Sequence, residues 1–170
     1  RLTYRELNDR ANQLNYELNL YRRSDSTSSW VYDRKWSVKR TLQNYQKKEG
    51  DLNFVKLVFP PQEGKDWNGN VYIPTIDIYS IFLNWDYLYV NVGTPFSVNG
   101  LNFNNTLTVN EIVDSNAIEK TLRKEVYAKG VGMIYQEWEL LTAGSGVVYP
   151  SWQTGKINGY RIRMKVVDHN

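Results

Sequence analysis

Lys124 to Leu141 reads KEVYAKGVGMIYQEWELL, and no other stretch of the chain alternates for so long. Val126, Ala128, Gly130, Gly132, Ile134, Trp138 and Leu140 take the even positions, and Glu125, Lys129, Glu137 and Glu139 the odd ones. A period of two marks a strand that buries one face, because successive side chains leave a pleated backbone on opposite sides. The pattern predicts one long strand of an antiparallel sheet with one wet face. Gly130 and Gly132 fall on its inner face, where glycine permits a sharp bend or the close approach of another backbone.

The same period recurs along the chain. Leu14, Tyr16, Leu18 and Leu20 share one face of a strand ending at Arg22. The polar cluster from Ser24 to Ser29 is a turn, and Trp30 to Tyr32 and Trp36 to Lys48 read as returning strands. After a turn at Gly50 and Asp51, Leu52 to Phe59 is apolar on both faces apart from Asn53 and Lys56. That is the pattern of a central strand, stopped by Pro60 and Pro61. Gln62 to Pro74 is a loop holding Trp67, and Ile76 to Leu83 fits either a strand or a short helix. Trp85 to Val92 and Thr106 to Val113 are strands; between them Asn99-Gly100 supplies the two positive φ values of a type I′ hairpin. Asp114 to Leu122 reads as a loop or one helical turn, and Thr142 to Gly155, with Trp152, as a crossing. The last strand runs from Gly159 to Val167, with Tyr160, Ile162, Met164 and Val166 inward and Arg161, Arg163 and Lys165 outward. Only the opening departs from this pattern. Leu2, Leu7, Ala11 and Leu14 lie near helical spacing, and Thr3 and Glu6 are placed as a capping box, which predicts a short N-terminal helix. The expected fold is all-β, a single domain over residues 1–170. It is an antiparallel meander curled into a lipocalin-like barrel or half-barrel.

The residue inventory narrows the chemistry. There is no cysteine, which excludes disulfides, thiolate metal sites and thiol nucleophiles. The single histidine, His169, leaves no material for a histidine metal cluster or a Ser-His-Asp arrangement. With 21 basic against 18 acidic residues, the net charge of +3 lacks the basic stripe of a dedicated nucleic-acid binder. No apolar run approaches the roughly 18 residues of a membrane-spanning helix, and no basic and apolar signal sequence opens the chain. We expect no catalytic residues, no metal and no cofactor.

Three features remain as candidate sites. Glu137 and Glu139 project from one face about 6.5 to 7 Å apart by strand rise, not far from a glycosidase carboxylate pair. Alternating acids on a solvated face are commoner, and Arg161, Arg163 and Lys165 form a basic ladder that could meet phosphate or an acidic sugar but is explained more cheaply as their cross-strand partner. Aromatic residues make up 14% of the chain, and Trp67 and Trp152, both placed on loops, are the candidates to stack on a sugar ring or an apolar ligand. Gly130 and Gly132 are structural glycines; they lie inside a strand and open no helix, so they make no nucleotide loop.

EVYAKGVGMIYQEWE, FVKLVFPPQEGKDWNGN, TPFSVNGLNFNNTLTV and GYRIRMKVVDHN together resemble a group of small lipoproteins of the Bacteroidetes, over roughly Tyr16 to Asn170. The resemblance implies a cell-envelope, outer-membrane location, a lipid anchor upstream of the sequence given, and an outer-membrane protein complex as partner. It implies no catalytic residue. Residues 1–13 depart from that family's opening. They are instead similar to an early motif of nonribosomal peptide synthetase adenylation domains, but nothing downstream carries that family's phosphate loop, and its activity is not carried over. The expected function is that of a non-enzymatic interaction subunit. The alternative is a lipocalin-like carrier of a small ligand or glycan.

Overall fold

Within each sheet every strand pairs with its neighbour in sequence. The computed structural model describes residues 1–10, 13–144, 146, 152 and 157–169. They belong to two compact units, Arg1–Pro60 with Asn68–Asn84, and Pro61–Trp67 with Trp85–Asn170. Each unit holds one antiparallel meander, so the protein is all-β.

The first unit carries β1 (Leu2–Arg10), β2 (Gln13–Arg22), β3 (Val31–Arg40), β4 (Asn44–Glu49) and β5 (Leu52–Val58), side by side in that order. β1 overturns the expected N-terminal helix: Leu2 pairs with Leu20, Tyr4 with Leu18 and Glu6 with Tyr16. An isolated helix of about a dozen residues is marginal in water, whereas the edge of β2 offers a full ladder of hydrogen bonds. Asp25 makes the β2–β3 turn. Its carboxylate accepts from the Ser28 hydroxyl at 2.6 Å, the Thr27 hydroxyl at 2.7 Å and both residues' backbone N–H groups at 2.8 Å, and these bonds hold its pKa well below the usual carboxylate range. The stretch Trp36 to Lys48, read as one strand, turns at Thr41. There the Thr41 hydroxyl accepts from the N–H groups of Gln43 and Asn44, a turn built without glycine or proline. β5 was expected to be central and lies instead at the end of its sheet. The segment Asn68–Asn84 acts as its further neighbour. Gly69 accepts from Val55 N–H at 2.8 Å, and Phe82 meets Phe54 edge-on at 5.5 Å. That segment contains a 3₁₀ helix, Asp77–Phe82, which settles the open choice at Ile76 to Leu83.

The second unit runs β6 (Asp66–Trp67), β7 (Tyr87–Val98), β8 (Leu101–Ser115), β9 (Glu119–Ala128), β10 (Gly132–Ala143) and β11 (Ile157–Lys165), again in sequence order. Asn99 at φ 50° and Gly100 at φ 81° form the expected hairpin between β7 and β8. The long alternating stretch is not one strand. It folds back at Lys129–Val131 into β9 and β10, with Val131 N–H donating to Ala128 C=O at 3.1 Å. Gly130 (φ 81°) is therefore a turn residue and Gly132 (φ 104°) opens β10; both are exposed with open space where a Cβ would point, and neither is an inner-face glycine. The β8–β9 turn is held by Asn116, whose side-chain oxygen accepts from the N–H groups of Ile118 and Glu119 at 2.9 Å.

At the hairpin end of this sheet Val98, Phe103, Val126, Ala128 and Ile134 form a core, joined by Phe96, Leu101, Tyr135 and Val166. The chain after β11 lies against it: Val166 N–H donates to Ile134 C=O, the Asn99 amide donates to Val166 C=O, and His169 packs on Phe103 at 5.3 Å. Both sheets keep free ends, and neither closes into the expected barrel. Closure would require the terminal strands to pair, and in the second sheet one of them, β6, has only 2 residues. Among the described residues, no helix is long and apolar enough to cross a membrane.

Candidate functional site

Hairpin register decides where the charges of the second unit go. Glu125 pairs with Gln136, and Glu137 with Lys124. Directly paired residues share a face, so an odd-numbered residue of β9 faces the same way as an even-numbered residue of β10. Glu125 and Glu137, which one straight strand would place together, project from opposite faces. Neither is solvated: Glu125 is 0% and Glu137 6% exposed, and Glu139 is 4%. The expected wet face is thus replaced by two faces that each bury carboxylates.

On the first face, a line of polar groups crosses four strands. The Tyr87 hydroxyl of β7 donates to Glu111 of β8 at 3.0 Å. Arg123 of β9 places its Nε 3.2 Å from the same carboxylate and a terminal nitrogen 3.9 Å from Glu125. Glu125 also accepts from the Tyr127 hydroxyl and, at 2.8 Å, from the Gln136 amide of β10. Glu111 lies two residues from Val109, which pairs with Glu125, and stands at a bulge where the pairing shifts between Asn110 and Ile112. Aromatic rings flank it. The Arg123 guanidinium lies 4.9 Å from the Trp138 ring and 5.8 Å from that of Trp85, and Trp67 packs on Tyr87 and Tyr89 at 5.6 and 4.5 Å. Burial, reinforced by the Glu111 charge, raises the Tyr87 pKa well above its usual value, so this hydroxyl stays protonated as a donor. Buried charges persist when they are paired, and here Arg123 stands between the carboxylates of Glu111 and Glu125. The sequence singled out none of these six residues. A bulged glutamate and a tyrosine on a neighbouring strand leave no periodic signal.

The opposite face carries the candidate site. Glu137 and Glu139 of β10 lie between cations of both neighbouring strands. Glu137 is 3.0 Å from Lys124 and 2.6 Å from Arg163; Glu139 is 2.6 Å from Lys120 and 3.1 Å from Arg161, with a second Arg163 nitrogen at 3.5 Å. The ladder follows from register, since β10 pairs Glu137 with Arg163 and Glu139 with Arg161. Tyr135 adds a hydroxyl bond to Glu137 at 3.1 Å. Burial alone would raise the Glu137 pKa, but hydrogen bonds from Lys124 and Arg163 outweigh it and the net shift is downward. Glu137 is thus held ionised, whereas the acid of a glycosidase pair must be held protonated. The cation side chains reach solvent, with Arg163 51% and Lys124 34% exposed. Four cations surround two carboxylates, so this face presents an excess of positive charge.

The cross-strand ladder of Arg161 and Arg163 with Glu139 and Glu137 is thus where the sequence placed it, and Lys165 continues it opposite Tyr135. Trp67, expected on a loop, lies in β6, half-buried against two tyrosines. Trp152 is half-buried in a turn between β10 and β11. Tyr160, Ile162 and Met164, expected inward, are 39%, 46% and 39% exposed because β11 is the last strand of its sheet. Among the described residues, no group of three or more His, Asp or Glu side chains could hold a metal ion. The chain matches no family model, no curated protein and no solved structure.

Proposed function

We propose that the chain is a non-enzymatic β module of the cell envelope that serves as an interaction subunit of an outer-membrane protein assembly. The resemblance of its middle and C-terminal strings to envelope lipoproteins supports the location, with attachment through a lipid anchor upstream. One observation carries the interaction role. Among the described residues, β11 ends its sheet with an unpaired backbone edge, bearing the exposed apolar row Tyr160, Ile162 and Met164 on one face and Arg161, Arg163 and Lys165 on the other. A long edge strand with exposed apolar side chains invites aggregation unless a partner covers it. The buried carboxylates support the same reading, since each is engaged by cations, hydroxyls or amides rather than poised for proton transfer.

Purification from the native membrane in mild detergent, followed by native mass spectrometry, tests the proposal. A stoichiometric complex with a membrane protein is expected. A chain that emerges alone with a small-molecule mass attached would replace this reading with the ligand-carrier one.

A further inference from the structure

β11 offers two recognition elements at once, and they lie in register. Its outer edge presents backbone N–H and C=O groups that no strand of the sheet pairs with. Its side chains alternate between an apolar row and a cationic row. On the cationic side, Arg161 and Arg163 share their two carboxylate partners with Lys120 and Lys124. Among the described residues no carboxylate pairs with Lys165. The charge at this edge is therefore positive in excess. On the apolar side, Ile162 pairs across to Trp138, and Tyr160 meets the Trp138 ring edge-on at 5.5 Å, so the row continues into the sheet.

Symmetry argues against a second copy of the chain as the occupant. Two antiparallel β11 strands related by a two-fold axis perpendicular to the sheet keep each face on its own side. The register of fullest cation overlap sets Arg163 against its own copy and Arg161 against Lys165, and the registers shifted by one pair still set two cations of one copy against two of the other. Like charges directly opposite one another destabilise the pair. The edge repels itself and attracts the opposite pattern.

We propose that β11 is a docking edge for an extended acidic segment of a partner protein, with carboxylates at alternate positions set against Arg161, Arg163 and Lys165. The segment adds a further strand to the second sheet. Backbone bonds supply affinity, and the alternation supplies specificity. Its other face places apolar side chains beside Tyr160, Ile162 and Met164. This inference rests on the interaction-module reading and names the partner's chemistry.

The probe is a fluorescent, end-blocked peptide of β11's length, 9 residues, in which Glu alternates with Val; its own charges keep it from self-pairing. Fluorescence anisotropy with the full chain should show saturable binding that weakens as salt rises through about 0.5 M. The same peptide with Lys in place of Glu should not bind. Lys165→Glu breaks no ion pair among the described residues and should weaken binding about five- to tenfold, as one rim charge is reversed. Two further peptides carry N-methyl groups, one on every Glu and the other on every Val. Strand addition uses the N–H groups of one set only, so one methylated peptide should bind and the other should not. Equal retention of binding by both methylated peptides, or binding to phosphatidylglycerol vesicles but not to the acidic peptide, overturns the inference. If the peptide fails while the chain still co-purifies with a membrane protein, the module reading stands and the edge assignment falls.

Discussion

Gly159 stands where the docking strand joins its sheet, and it offers a sharp test of the packing there. It lies at φ +110°, and a Cβ built on it would sit 2.0 Å from the Leu140 carbonyl oxygen and 3.0 Å from its carbon. The obstacle is the backbone of the adjoining strand β10, which cannot swing aside as the tip of a side chain can. Gly159→Ala therefore carries two costs. Holding an L residue in a region that essentially only glycine enters costs about 1–3 kcal/mol. Relieving the overlap by moving β11 off β10 costs about 1–3 kcal/mol more. We expect a total near 3–4 kcal/mol, or local detachment of β11, which as a terminal strand can leave without dismantling β7 to β10. Gly130→Ala is the control. Gly130 also has positive φ (+81°) but nothing within 4 Å of a Cβ, so only the conformational penalty of about 1–2 kcal/mol applies. Urea unfolding followed by tryptophan fluorescence gives the global cost, and hydrogen exchange at Ile157–Lys165 gives the local one. If Gly159→Ala loses no more stability than Gly130→Ala and its β11 amides exchange at the wild-type rate, the β10–β11 register described here is wrong.

Lowering the pH should erode the ladder in a defined sense. The folded-state pKa of Glu137 is depressed, so its contribution is present above the usual carboxyl value of 4.5 and is lost as pH falls through the folded value; urea midpoints of Glu137→Gln should show a shallower acid slope. At the alkaline end, the raised Tyr87 pKa gives stability that is present below pH 10 and lost as pH climbs toward the folded value. Absorbance at about 295 nm should show one tyrosine ionising only on unfolding, and Tyr87→Phe should abolish that lag. Tyr87→Phe also removes a hydrogen bond to a buried carboxylate and should cost about 1.5–3 kcal/mol at neutral pH, measured by urea unfolding. Trp67→Ala removes a ring packed on Tyr87 and Tyr89 and should destabilise by about 2–3 kcal/mol, less than a fully buried tryptophan because Trp67 keeps some exposure; an unchanged midpoint would return Trp67 to the role of free ligand platform.

The element list was largely legible in the chain because it depends on neighbours. Alternation marked β2, β7 and β11, a run apolar on both faces marked β5, and Asn99-Gly100 marked a hairpin whose two residues must adopt positive φ. Even the contact of Arg161 and Arg163 with Glu139 and Glu137 could be read, since it joins two alternating rows of opposite sign. Turns made by side chains were harder to see. Thr41 and Asn116 close theirs with one oxygen each, and neither signals a break in the way that glycine or proline does.

Local pattern thus determined by itself that this chain is a set of antiparallel strands with a charged ladder near its C-terminal end, because side-chain direction in a strand follows from position alone. Tertiary structure decided what each strand faces. Folding Lys124 to Leu141 at Gly130 reversed the parity between its halves and sent Glu125 and Glu137 to opposite faces, and the pairing of β8 with β9 brought a second carboxylate, Glu111, to Arg123. Whether residues of equal parity share a face is fixed by the pairing register, and register is a property of two strands together.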